Sequence, residues 1–413
     1  MHFAAIIVTL QGLNCDVRNS ANYRLNYFDI DLLRYSTEDK KGNVMVSPAS
    51  IKSTLAMLLE GAEGETAQEI RRALRLSPMK QDWREELNNY LYRLEANSSG
   101  VLLQNANAVF VSNKLKVKQD YEKYLRNAYY SEIARIDFKN TNQATQLING
   151  WVNKQTRGLI PFILTPADFN PLAEMIVTNA LFFKGLWRYG FDRRLTRGAC
   201  FYNKGQCQTV EMMDLQAKLN YAYVRNLRAH ALELPYQDTR YSMILLVPVD
   251  RDGIYILTRD LPYMSLPQIS ELMAIEEVRL SMPKFKVDYS EDMVATLKNM
   301  RINTLFSTES NLSSIFEGST PYVNNVFHKV YMSVDEEGTV AAAATGAMVI
   351  PLINDSVDLR VDRPFVFFIT DNTSGAVLFE GKIEEPNVFE GGDGKLPNFY
   401  PPTNTRPAWW TMA

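Results

Sequence analysis

Residues Glu336–Leu352 read EEGTVAAAATGAMVIPL, and the reading of this stretch decides the rest of the chain. It follows an alternating apolar run, Val326–Val334 (VFHKVYMSV), and precedes another, Phe365–Thr370 (FVFFIT). About 30 residues separate the two runs. A compact domain rarely carries so long a connection unless it functions or is disordered. Yet the first half is not written as a loop. It has no charge between Glu337 and Asp355, no proline before Pro351, and four consecutive alanines.

Laid out as a strand, Gly338–Ile350 presents Thr339, Ala341, Ala343, Thr345, Ala347 and Val349 on one face. The other face carries Val340, Ala342, Ala344, Gly346, Met348 and Ile350. Neither face is charged, so both suit the middle of a sheet, over a length of roughly 43 Å. Gly338 offers a pivot. The segment is thus compatible with two states, outside as a loop or inside as a central strand. If the inserted state is favoured, the starting fold is metastable and held by a kinetic barrier. The residues alone leave a helix open as well, because alanine is the best helix former.

The composition of the whole 413-residue chain is that of an ordinary globular protein, 46% hydrophobic and 22% charged, with ample apolar material for a large core. Length alone favours two or three domains. A net charge of −3 argues against nucleic acid or an anionic membrane surface as a partner. Arg71, Arg72 and Arg75, with Glu65 and Glu69 nearby, read as a solvated helix face. Residues 1–15 (MHFAAIIVTLQGLNC) resemble a short secretory signal, though without the usual basic start. Secretion is therefore expected, and four glycosylation triplets begin at Asn97, Asn311, Asn354 and Asn372. Cys200 and Cys207 flank a turn-like Asn203-Lys204-Gly205; a disulfide across that hairpin and two free thiols both fit the spacing. From residue 387 onward the chain is rich in Gly, Pro and Asn and reads as a flexible tail.

Helical patterns come first and strands later. Leu25, Phe28 and Leu32 keep helical spacing. Ile51, Leu55, Leu58 and Leu59 form a stripe on a helix starting near Ser50. Thr66 and Glu69 read as a capping box for a helix burying Ile70, Ala73 and Leu74. Further helices are expected over Tyr121–Ala128 and Asn142–Thr156. Met175–Phe183 and Tyr241–Val247 read as strands buried on both faces. Val278–Met282 and Phe285–Val287 bracket a Pro-Lys break. The DNTSG connection marks a hairpin between FVFFIT and AVLFEGKI. Without steady β-α alternation, this order predicts an α+β fold.

Reactive chemistry is scarce. Three histidines (His2, His230 and His328) and three cysteines make no zinc pattern, and no nucleophile elbow, zincin or phosphate-loop motif occurs. Glu336-Glu337 and Glu384-Glu385 are adjacent, so on a strand each pair points to opposite faces. The chain is not expected to be an enzyme, and no cofactor or metal is implied.

EEGTVAAAATGAM resembles the hinge of the serpins, the serine protease inhibitor family. NVMVSPASI (Asn43–Ile51), INGWVNKQTRGLI (Ile148–Ile160), VTNALFFKGLWRYGF (Val177–Phe191), FHKVYMSVDEEGT and DRPFVFFITDNTSGAVLFEGKI resemble other family segments, in order. The resemblance runs from about Ala21 to Pro386 and implies a single domain of three β-sheets and eight to nine helices with an exposed reactive-centre loop. It implies suicide inhibition: a protease cuts the loop, and the loop enters the main sheet while the acyl-enzyme persists. By resemblance, Glu336, Glu337, Gly338, Thr339, Val340, Ala341, Ala342, Ala343 and Ala344 form the hinge. Ser47, Ser50, Asn179 and His328 match the shutter, a polar cluster beneath the opening strands, and Trp187 matches the breach, where insertion starts. Family loop length places the cut at Leu352-Ile353, suiting a chymotrypsin-like or elastase-like serine protease. A loop one residue longer than usual would move the cut past Ile353, a pattern suited to papain-like cysteine proteases. An extracellular protease is the expected partner of a monomeric inhibitor. The alternative is a non-inhibitory serpin acting as carrier, storage protein or chaperone.

Overall fold

The structure, a computed structural model, describes residues 26–84, 87, 100–129, 131–339 and 356–388. The signal-like segment, Leu25, Asn97, Val340–Ala344, Leu352, Ile353, Asn354 and the tail beyond Val388 lie outside the described residues.

Residues 26–37 form helix α1. Strand β1 (Val44–Val46) runs into α2 (Pro48–Gly61) through Ser47, whose hydroxyl accepts the Ser50 N–H while Pro48 opens the first turn. Every residue of α2 is buried. Helix α3 (Gly64–Ala73) departs from expectation at its start. Its N-cap is Glu63, with no side-chain cap, and Thr66 already lies inside the helix. The Thr66 hydroxyl instead accepts the Asn311 N–H, and the Glu69 carboxylate accepts the N–H groups of Asn303 and Thr304. Distant backbone donors took the two side chains that local spacing had assigned to a capping box. Helices α4 (Gln119–Ala128) and α5 (Thr141–Gln155) lie where the periodicity placed them.

One sheet runs β10-β11-β4-β2-β3, from Phe285–Asp292, Asn325–Val334, Met175–Leu186, Val101–Ser112 and Glu132–Ile136. A short strand β12 (Gly338–Thr339) joins it on β4. β4 is almost continuously apolar because both faces are covered. Met175, Val177, Leu181 and Phe183 enter the main core, whereas Ile176 and Ala180 pack with Ala144, Ile148 and Val152 of α5.

The remaining described strands form a second assembly ordered β1-β15-β14-β8-β7-β6-β9-β13, with β5 on β6. They are β5 (Arg197–Asn203), β6 (Gln206–Val224), β7 (Ala229–Pro235), β8 (Tyr241–Pro248), β9 (Ala274–Pro283), β13 (Val357–Arg360), β14 (Phe365–Asp371) and β15 (Ala376–Ile383). The 19-residue β6 carries β5 and β9 along its first part and β7 at its end, so it joins two strand groups into one hydrogen-bonded path. The DNTSG hairpin forms as expected, with Gly375 left-handed and its N–H on the Asp371 carbonyl. The main core draws on both sheets and α2.

Candidate functional site

The seam between β4 and β11 collects most of the residues singled out from the sequence. The strands pair in parallel from Asn325↔Ile176 to Tyr331↔Phe182. Beyond that point β12 lies against β4 instead, antiparallel, with Gly338 opposite Leu186 and Thr339 opposite Gly185. The chain reverses between β11 and β12 through Glu336-Glu337. Asp335 and Gly338 exchange backbone hydrogen bonds of 2.8 and 3.3 Å across this turn. Gly338 has φ 144°, and a Cβ there would sit 2.1 Å from the Gly185 carbonyl oxygen. Only glycine lets the backbone approach this closely.

The upper end of the seam is held by side chains from outside the sheet. Glu336 is 3% exposed. Its carboxylate lies 2.7 Å from Lys284 Nζ and accepts the Thr196 hydroxyl at 2.7 Å. Burial alone would raise its pKa, but these two partners outweigh burial and hold it below the usual value. Glu337 pairs with Arg193 at 2.6 Å. The N–H groups of Phe191 and Trp187 donate to the Glu336 and Glu337 carbonyls. The Trp187 indole donates to the Asp335 carbonyl at 3.0 Å and stacks on Tyr236, with centroids 4.6 Å apart.

The middle of the seam is neutral and buried. His328 on β11 faces Asn179 on β4 and is 0% exposed. Its Nε2 accepts the Ser47 N–H at 3.1 Å, so Nδ1 carries the proton and donates to Asn179 Oδ1. Burial pushes the imidazole pKa down to about 3, keeping the ring neutral. Asn179 Nδ2 donates to Asn107 Oδ1 at 2.9 Å and to the Thr54 hydroxyl at 3.0 Å. The Ser50 hydroxyl lies 2.9 Å from Oδ1 of both Asn105 and Asn107, and Ser47 donates to the Leu378 carbonyl. Ser47, Ser50, Asn179 and His328 therefore share one network that ties α2 to both strands of the seam.

The serpin family model, Serpin (serine protease inhibitor), matches residues 24–386. The chain belongs to the serpins. It is 34% identical over 371 residues to intracellular coagulation inhibitor 1 of Tachypleus tridentatus, covering 87% of this chain and 88% of that one. It is 32% identical to a leukocyte elastase inhibitor of Sus scrofa, covering 89% and 99%. Among solved structures, Serpin48 of Tenebrio molitor aligns with TM-score 0.81 at 28% identity, covering 89% and 99%. Human thyroxine-binding globulin aligns with TM-score 0.81 at 26% identity, covering 89% and 98%. The fold is the serpin fold, and these serpin relatives include named inhibitors.

These relatives correct one expectation. The Tachypleus protein, alike over most of its length, is named an intracellular inhibitor, so the similarity points away from the secreted localisation and extracellular partner read from residues 1–15. The glycosylation reading loses its support with it. Asn311 and Asn372 are the described triplet asparagines, and the Asn372 amide is engaged with the Thr239 carbonyl and the Ser242 hydroxyl. Of the two cysteine readings, the structure forms the Cys200–Cys207 disulfide.

Several partners at the seam were not singled out from sequence. Lys284 was read only as part of a break between strands, and Thr196, Arg193, Tyr236, Asn107 and Thr54 carried no signal. Each reaches the seam from a distant element, so no local spacing marks it.

Proposed function

We propose that this serpin inhibits a protease by taking its cut loop into the β4–β11 seam as a new central strand. The supporting observation is the register of β12. Continued along β4, the pairing of Gly338 with Leu186 would carry the strand to Val349 opposite Met175, the full length of β4, before Pro351. Continued along β11, the Asp335–Gly338 turn would bring Thr345 opposite His328, and the β4 register brings the same residue opposite Asn179. These two residues already face each other across the seam. The strands therefore need only part sideways, without sliding.

Parting them by one strand spacing, about 4.8 Å, breaks the His328–Asn179 hydrogen bond. A threonine hydroxyl arriving between them can accept from His328 Nδ1 and donate to Asn179 Oδ1, satisfying both. On the other face Ala342 would enter between the stacked Phe182 and Tyr331, and Ala344 between Ala180 and Lys329. Small side chains suit both places. The inserted strand gains ladder bonds and burial, and the attached protease is dragged and distorted, which stalls deacylation.

Leu352 as the cut residue suits an apolar specificity pocket, and similarity to leukocyte elastase inhibitors supports an elastase-like or chymotrypsin-like serine protease. The test is incubation with elastase-like, chymotrypsin-like and papain-like proteases. The expected result is a detergent-stable covalent complex with a serine protease, a cut after Leu352 by mass spectrometry, and a large rise in melting temperature after cleavage. Clean cleavage with every protease left active and no thermal gain would instead favour a carrier role, the function that thyroxine-binding globulin's name gives a protein of the same fold.

A further inference from the structure

We propose that the Cys200–Cys207 bond is a thiol-sensitive clasp that sets how firmly the C-terminal end of the loop is anchored. That end has short backbone pairing, although Leu359 and Val361 are buried in the main core. β13 pairs with β9 over only four residues, Val357–Arg360, and one further bond joins the Val361 N–H to the Ser281 carbonyl. The next residue, Asp362, is held by the β5–β6 hairpin. The Tyr202 N–H donates to the Asp362 carbonyl at 2.7 Å. Arg251 lies 3.6 Å over the Tyr202 ring and 3.8 Å from the Asp362 carboxylate.

Tyr202 stands directly opposite Cys207, and Cys200 lies two residues before it on the same face of β5. The disulfide thus crosses the hairpin diagonally beside the residue that grips Asp362. The opposite face is fixed independently, because Phe201 and Val210 are buried in the core. Lys204 and Gly205 both have left-handed φ (50° and 74°), the geometry of a two-residue turn that sets strand register by itself. The disulfide closes a sequence separation of only 7 residues. Its main effect is therefore to restrain local fraying of β5 rather than to hold the global fold.

Cys207 is exposed and Cys200 half-buried, so a dithiol can reach the pair. A dithiol thiolate attacks the exposed Cys207 sulfur, and Cys200 leaves as a thiolate that takes a proton. The second thiol of the reagent then closes on its own mixed-disulfide sulfur and frees the Cys207 thiol. Two electrons pass to the protein, and the reagent ends as a cyclic disulfide.

The test needs no protease, so it can fail or succeed independently of the inhibitory reading; only the consequence for the loop rests on that reading. Hydrogen exchange by mass spectrometry is followed on the full chain with Cys15→Ser, oxidised or treated with dithiothreitol. Reduction is expected to speed exchange about tenfold at residues 197–212 and 357–363, with residues 175–186 unchanged and the slow rate restored on reoxidation. The additional double substitution Cys200→Ser/Cys207→Ser should exchange at the fast rate with or without dithiothreitol. Equal rates at 357–363 in both redox states, or a dithiothreitol effect that persists in the double-serine variant, would overturn the proposal.

Discussion

The two ends of one seam are held by opposite chemistry. At the upper end, where β12 turns in beside β4, the contacts are ionic and reach in from other elements: Glu336 to Lys284 and Glu337 to Arg193. In the middle the contacts are neutral and buried: His328 and Asn179 of the seam, with Ser47 from the start of α2 and Asn107 from β2. Arg193 is exposed and Lys284 partly so, and water can take up these two cations if the pairs part, whereas the Glu336 carboxylate is buried. A buried neutral network cannot part unless something replaces its hydrogen bonds. Under the insertion proposed above, entry would begin at the charged end and be admitted at the neutral middle by a residue bearing a hydroxyl.

The largest test attacks the upper end. Glu336→Lys sets two ammonium groups side by side and leaves Thr196 without its acceptor. The uncut protein should lose about 3–5 kcal/mol in urea unfolding. A loss below about 1 kcal/mol would mean that the ionic end is not a lock.

The next test uses pH on the middle. An unfolded histidine takes its proton near 6.5, but the folded His328 does so only at about 3. Below about 6.5 the unfolded chain binds a proton that the fold refuses. The stability this group contributes is complete above that pH. It falls by roughly 1.4 kcal/mol per pH unit on acidification until about pH 3 is reached. His328→Gln should remove that component of the slope between pH 6 and 4, measured by urea midpoints; an unchanged slope would place the sensitivity elsewhere.

A smaller effect sharpens the link between the two ends. Thr345→Val should lower the stability of the cleaved protein by about 1–2 kcal/mol, because His328 and Asn179 would be parted without replacement. It should also raise the share of protease turnovers that end in free product. Equal stability of the two cleaved proteins would remove Thr345 from the seam. Smallest is Trp187→Phe, which loses the bond to the Asp335 carbonyl and part of the stack on Tyr236. About 1 kcal/mol is expected, read by denaturation of the uncut protein.

Much of this architecture is legible locally. The uninterrupted apolar run of β4 announces a strand covered on both faces, the DNTSG turn announces a hairpin, and the apolar stripe of α2 places its start near Ser50, two residues after the observed Pro48. Other features mislead at the same range. Thr66 and Glu69 have the spacing of a capping box, yet they serve backbone donors from residues 303–311. β13 escaped notice because four residues beside a long irregular stretch carry too little pattern.

By itself the sequence determined that Gly338–Ile350 carries no charge on either face, and that composition depends on nothing beyond the segment's own residues. Only the tertiary structure decided what the segment meets: that Glu336 finds Lys284 and Thr196, that His328 faces Asn179 with Asn107 and Thr54 behind it, and that β12 has begun to pair with β4. Those partners come from strands and helices far apart along the chain. Their proximity follows from packing around a shared core, which leaves no periodic trace in the residues it brings together.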